Sequence, residues 1–245
     1  MNRDPKIKEV QQVATRIWTL STSTRVTSPA IPARPSFSRR IIEGISLRDF
    51  GQLAQFALRN LVSMQHCYVL HHHLSTLSPK PPRKLGGGQL RLLDANDIAG
   101  LYEQGSALDF KDKLNLLVQL RFYENGFTNC YGLVENGSIS YLQWMIGPEE
   151  NELIRAKYGH CVLPVGDKEI LIDNAFTLPS YRGRGYMSYA VWELLSRAKE
   201  SGYRRAVTYV RKDNINSLNV LTTAGFRFTK LVREWKLMGH SWRNL

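Results

Sequence analysis

Arg182-Gly183-Arg184-Gly185 is where residue type and spacing in this sequence suggest chemistry. An apolar, β-prone run, Ile170 to Leu178, stops at Pro179, and a helical pattern opens near Tyr186 and runs through Leu195. A strand, a glycine turn and a helix leave the first N–H groups of the helix without partners. They sit at the positive end of its dipole, a setting for an anion. Glycine permits close backbone approach and positive φ, and arginine adds charge suited to phosphate. A pyrophosphate-binding turn and a charged surface turn both satisfy the pattern. The lysine-containing P-loop is absent, and Ser188 stands where a dinucleotide-binding turn has its third glycine.

Other chemistry-bearing residues point elsewhere. His71, His72 and His73, with His66 nearby, close a helical pattern. Consecutive helical residues diverge, so no shared metal is expected, and the imidazoles suit a helix C-terminus. Cys67, Cys130 and Cys161 are odd in number and scattered, without Cys-x-x-Cys. That argues against a disulfide framework or zinc site and for a reducing, cytoplasmic compartment. The net charge of +12 suits an acidic partner: nucleic acid, an anionic membrane surface, an acidic carrier protein or a polyphosphate cofactor. Solubility alone also explains such a charge. Nucleic acid has only this charge in its favour and is not expected, since no zinc finger or aromatic-basic motif is present. No apolar run reaches the roughly 18 residues of a membrane span. Thr15 to Arg40 is rich in Ser, Thr and Arg and poor in acids, which is also the composition of a mitochondrial transit peptide.

The 245 residues suit one or two domains. Residues 1–40 read as a flexible basic tail with one short helix, Ile7 to Leu20. Ile42 to Leu74 carries Leu47, Phe50, Ala54, Leu61, Met64 and Tyr68 at helical spacing, and an amphipathic helix is expected. It would pack on the next domain, pair in a homodimer or lie on a membrane surface. Pro79, Pro81, Pro82 and Gly86-Gly87-Gly88 mark a linker, which divides 41–85 from a domain at 86–245. Within that domain the pattern predicts a strand at Gln89–Leu93, a helix capped near Asp94 and a second helix at Asp112–Tyr123. Thr128–Glu135 and Ser138–Ile146 flank Asn136-Gly137, a strong hairpin signal. A short helix within Glu149–Tyr158 precedes the central strand, and after the glycine turn and its helix come a strand at Arg205–Arg211 and a helix at Asn216–Ala224. Strands at Phe228–Val232 and Glu234–Met238 follow.

This order resembles the GNAT superfamily of acyl-CoA-dependent N-acyltransferases over about Gln89 to Met238. Pro179 to Met187 is similar to the family's Arg/Gln-x-x-Gly-x-Gly/Ala turn. Asn214-Ile215-Asn216-Ser217, followed by Gly225-Phe226, is similar to its Asn-x-x-Ser/Ala and terminal Gly-Phe. The resemblance implies an α/β fold with a mixed, mostly antiparallel central sheet flanked by helices, here with an N-terminal helical extension. It implies a transferase, most directly an acetyl-CoA-dependent N-acetyltransferase, acting on a small-molecule amine. Another acyl-CoA or an acidic acyl carrier protein are alternative donors, and a non-catalytic acyl-CoA-binding module is a further alternative. By the same resemblance Ala175, Phe176 and Thr177 would meet the pantetheine and thioester. Arg182, Gly183, Arg184, Gly185, Tyr186, Met187 and Ser188 would receive the pyrophosphate, and Asn214 would touch the cofactor or simply cap a helix. The family's thiolate-protonating tyrosine falls at Leu221 and its glutamate base at Tyr209. Asp173 is then the candidate base, or a structural carboxylate, and Tyr209 the candidate acid, with release of a free thiolate as the alternative.

Overall fold

The computed structural model describes residues 62–81, 88–237 and 240–245, all within the unit Val62–Leu245. The basic tail, the Ile7–Leu20 helix and positions 42–61 of the expected amphipathic helix lie outside the described residues. Eight strands are described: β1 Val62–His73, β2 Gln89–Leu92, β3 Cys130–Glu135, β4 Ser138–Ile146, β5 Glu169–Thr177, β6 Arg205–Arg211, β7 Arg227–Leu237 and β8 His240–Arg243. The longer helices are α1 Ala95–Ser106, α2 Phe110–Glu124, α3 Tyr186–Glu200 and α4 Ile215–Thr223.

Local chemistry explains many of the boundaries. Asp94 accepts from the N–H groups of Asn96 and Asp97 while the Asp97 carboxylate accepts from the Asp94 N–H, a reciprocal cap on α1. Asn136 and Gly137 both take positive φ, 50° and 77°, as a tight β3–β4 hairpin requires. Asn151–Leu153 and a π-helical turn, Ile154–Tyr158, form the short helix before β5.

The sheet runs β2-β3-β4-β5-β6-β1-β7-β8. Among the described pairs β5–β6 is parallel and the others are antiparallel. Helices α1 and α2 cover one face, where Trp144, Phe122 and Phe127 join Ile98, Leu101 and Leu120. The other face packs Ile170, Ile172 and Leu70 against Ala190, Leu194 and Leu195 of α3 and Leu218 and Leu221 of α4. This is the mixed, mostly antiparallel α/β architecture expected.

One element differs in kind. Residues 62–73, expected as the end of an amphipathic helix, form β1, and β1 lies inside the sheet between β6 and β7. Cys67 pairs with Arg211 on one side and Val232 on the other, and Leu70 pairs with Thr208 and Phe228. Cys67 and Leu70 are buried on opposite faces. A strand buried on both faces loses the polar–apolar alternation that identifies strands, so its apolar positions fitted helical spacing equally well. The expected boundary at residue 86 therefore falls too late, because the sheet includes a strand that precedes the Pro/Gly-rich stretch.

The histidines change role with it. On a strand His71 and His73 face one way and His72 the other. His72 is buried, its ring 5.3 Å from Phe226. A Cβ on Gly225 would come within 3.0 Å of its Nε2, and Gly225 has φ 98°. Burial lowers the His72 pKa, which favours the neutral ring. At the C-terminal end the two strands expected over 228–238 are one strand, β7, with Thr229 bulging out of register and β8 returning beside it. The Thr229 hydroxyl donates to the Val69 carbonyl at 2.9 Å, which holds the bulge.

Candidate functional site

The site begins where two strands separate. β5 and β6 pair at Glu169–Arg205, Ile170–Ala206 and Leu171–Val207, and no β6 residue is in register with β5 beyond Leu171. Past that point the β6-facing edge of β5 has no strand partner. Just beyond it Asn174 adopts φ 53°, and the β4–β5 register shifts between Leu142 and Trp144. This bulge re-aims the strand. The Asp173 Oδ1 accepts from the Asn174 N–H at 2.9 Å, a local bond that fits the bulge geometry. Phe176 is buried on the α1/α2 face, Ala175 packs toward the α3 face, and Thr177 is in register with Tyr141.

After β5 a 3-10 turn, Pro179–Tyr181, leads into the glycine turn. Gly183 and Gly185 have φ 74° and 85°, and a Cβ added to either would meet no atom within 4 Å. The glycines are required for dihedral freedom, and the space above the turn is open. Gly185 is the N-cap of α3, which has neither a side-chain cap nor an acid in its first turn. Its first N–H groups are therefore exposed to whatever anion approaches. The start of α4 lies alongside, with the Ser217 Oγ 3.9 Å from the Met187 Sδ. Gly185→Ala is expected to cost about 1–2 kcal/mol for the left-handed conformation alone, read as a lower denaturation midpoint.

The arginines of the turn have different positions. Arg182 is held bidentately by the buried Asp112 at 2.6 and 3.0 Å, and its Nε donates to the Thr177 carbonyl at 3.2 Å. It braces the end of β5 against the first turn of α2, which corrects its expected place among the pyrophosphate ligands. Arg182→Ala leaves the Asp112 carboxylate buried without its partner, and a loss of about 1–3 kcal/mol is expected. Arg182→Lys is not expected to restore it, since an ammonium lacks the planar fork. An unchanged melting temperature for both variants would refute the brace. Arg184 is exposed, with its guanidinium 5.6 Å from the Tyr181 ring centroid. Tyr186 is buried, donates its hydroxyl to Glu135 at 2.6 Å and packs edge-on against Tyr181, so its phenol is already engaged beside the turn. Asn214 caps α4, accepting from the Ser217 N–H at 3.2 Å. Leu221 is buried in the core and provides no hydroxyl.

On the face away from α3, Asp173 and Tyr209 belong to one charged cluster. Glu234 of β7 is buried and accepts from the Arg243 Nε at 2.6 Å and from the Gln65 side chain. Arg243 also donates to the Cys161 carbonyl at 2.9 Å, and its guanidinium stands 4.9 Å from the Tyr209 ring centroid. Burial pushes the half-buried Asp173 carboxyl up to about 6, against the pull of Arg243 and the Asn174 N–H. Burial also raises Tyr209, whose hydroxyl accepts from the Leu163 N–H at 3.3 Å. Burial lifts the Cys67 thiol to about 11 and keeps it protonated. A carboxylate near neutrality beside a protonated phenol can exchange protons with a ligand.

Gln65, Glu234 and Arg243 were not foreseen. They lie on β1, β7 and β8, separated by more than 160 residues between Gln65 and Glu234, and no local pattern links them. Among the described residues, no group of three His, Cys, Asp or Glu side chains could hold a metal, and no helix is long and apolar enough to cross a membrane.

Residues 134–226 match the model of the acetyltransferase (GNAT) family. No curated protein matches the chain. Among solved structures, the chain is similar to a GCN5-related glucosamine N-acetyltransferase region in a fungal multi-domain GH3 β-N-acetylglucosaminidase. The identity is 16%, the TM-score 0.51, and the match covers 87% of this chain and 24% of that one. A Drosophila protein is 14% identical with TM-score 0.49, over 80% of this chain and 59% of its own. A GNAT-family acetyltransferase of Colwellia psychrerythraea is 12% identical with TM-score 0.49, over 76% and 61%. This chain therefore spans less than two thirds of the length of each of these structures, and the fungal likeness is one of fold.

Proposed function

Because the C-terminal region of this chain belongs to the GNAT superfamily, we propose that the protein transfers an acyl group, most directly the acetyl group of acetyl-CoA, to the amine of a small molecule. The observation that carries this is the separation of β5 from β6 beyond Leu171, directly ahead of an uncapped helix. A thioester lying along the unpaired edge of β5 meets backbone N–H donors, and a pyrophosphate at the start of α3 meets several more. The backbone of Gly183 to Ser188 and the exposed Arg184 are the groups that would hold it. The residues present fit such a ligand, since both glycines leave the approach open.

The chemistry then runs by direct attack. Asp173, directly or through water, takes a proton from the incoming ammonium, and the free amine adds to the thioester carbonyl carbon. The negative charge that develops on oxygen is met by N–H groups of the β5 edge. Collapse breaks the carbon–sulfur bond as the nitrogen gives up its extra proton to solvent, yielding the neutral amide and a thiolate. Tyr209 retains its proton in this setting and faces the Asp173 side of the sheet, so it is the residue for the acid role. Leu221 leaves solvent as the other proton source. Titrating the protein with acetyl-CoA in a calorimeter is expected to give heat with saturable binding, weakened in Gly185→Ala. Absence of heat at millimolar cofactor would sink the proposal. The +12 charge favours a second donor, an acidic acyl carrier protein. Faster turnover with acyl carrier protein than with acetyl-CoA would select it.

A further inference from the structure

Under the paired halves of β5 and β6, on the face away from α3, lies a cavity of about 280 Å³. Its walls are apolar: Val69, Leu171, Val207 and Val232 from the sheet, with Leu163 and Val165 from the loop before β5. Tyr209 lines one end. Asp173 is two residues past Leu171 on the same face of β5, about 7 Å further along the strand. Through Tyr209 the cavity borders the proposed point of proton transfer, on the opposite face from α3.

Besides Tyr209, the charged and titratable side chains of the lining are Glu169, Arg205, His71 and Lys230. Arg205 is paired with Glu169. His71 is shifted toward its neutral form by burial and by Arg205. Lys230 is exposed, and among the described residues no carboxylate pairs with it. Tyr209 and Lys230 are both register partners of Val69, from opposite sides of β1. Their backbones are thus two inter-strand spacings apart, about 10 Å. A ligand lying between them has apolar walls along its body, a cation at one end and the Asp173–Tyr209 pair at the other.

We infer that the amine acceptor is an apolar amine with a carboxylate at the far end of its chain, the ω-amino-carboxylate class, seated in this cavity with its carboxylate toward Lys230. The inference rests on the acyl-transfer reading and narrows it. An amino sugar does not suit the walls. Each of its hydroxyls would leave water for Val and Leu side chains that offer no hydrogen bond. The volume of about 280 Å³ suits one such aliphatic chain.

The test uses the full chain with acetyl-CoA and measures thiol release with 6-aminohexanoate, hexylamine, phenylalanine and glucosamine. 6-Aminohexanoate is expected to exceed both phenylalanine and glucosamine in kcat/KM by at least about tenfold. Lys230→Ala is expected to reduce the preference for 6-aminohexanoate over hexylamine by about tenfold, mainly through KM. Lys230 is exposed, so this variant keeps the test valid even if Val207→Phe, which fills the cavity, fails to fold. Glucosamine or phenylalanine turned over as well as 6-aminohexanoate, or a Lys230→Ala loss equal for 6-aminohexanoate and hexylamine, overturns the inference. Acetyl-CoA heat with no acetylation of the apolar amines overturns it while leaving the donor site standing. Absence of that heat overturns both.

Discussion

Asp173→Asn is expected to lower kcat/KM for acyl transfer by about 10²–10⁴-fold near neutral pH, the usual contribution of a positioned general base. Acetyl-CoA affinity should change little, because the proposed donor site is the β5 edge and the start of α3, away from the Asp173 carboxyl. The wild-type pH profile carries the same expectation. Burial raises the Asp173 carboxyl from its ordinary 3.8 to about 6. Below that value it is protonated and cannot accept the amine's proton, so activity should fall as pH drops through about 6. The variant should lose that limb. Stability has the opposite sign. A carboxyl whose folded pKa is raised contributes stability that is fully present below 3.8 and lost as pH rises through about 6. Asp173→Asn should therefore be no less stable than wild type above pH 6. Arg243 holds the Asp173 pKa down, so Arg243→Gln should move the activity limb to higher pH. A variant with wild-type kcat/KM and the same acidic limb would remove Asp173 from the mechanism.

The second large effect concerns β1. A fragment of residues 86–245, the domain that local patterns mark out, is expected not to fold. Without Val62–His73, β7 and β8 lose their connection to β6, because β1 pairs with both β6 and β7. The buried side chains of Cys67, Val69, Leu70 and Leu74 would also be lost. At about 2 kcal/mol for each buried side chain, that loss matches much of the roughly 5–15 kcal/mol that holds a domain together. Two bare strand edges would face each other across the gap and invite aggregation. Leu70→Asp in the full chain is the finer test. A charge at a wholly buried position in mid-sheet should cost at least about 3 kcal/mol, measured by denaturant titration. Cooperative unfolding of the 86–245 fragment, with acetyl-CoA binding retained, would disprove the structural role of β1.

The two cases divide what local sequence encodes from what it does not. Asp94 and Asp97 mark the start of α1, because an N-cap acts within one helical turn. Asn136-Gly137 sets the β3–β4 hairpin, because positive φ at two successive positions selects those residues. Gly183 and Gly185 mark the turn into α3 for the same reason, and the order of these elements was enough to suggest the architecture. Asp173 and Tyr209 could be named from their strand positions, yet their proton affinities could not. Those depend on burial and on Arg243, which belongs to a strand that local pattern did not reveal. The turn showed two arginines of equal promise. The tertiary structure separates them by placing Asp112, 70 residues away in sequence, against Arg182. The same distinction explains β1. Caps and turns are satisfied by neighbours in sequence and leave a local signature. A strand buried on both faces is specified by the two strands it pairs with, and β6 and β7 lie more than 130 residues beyond it.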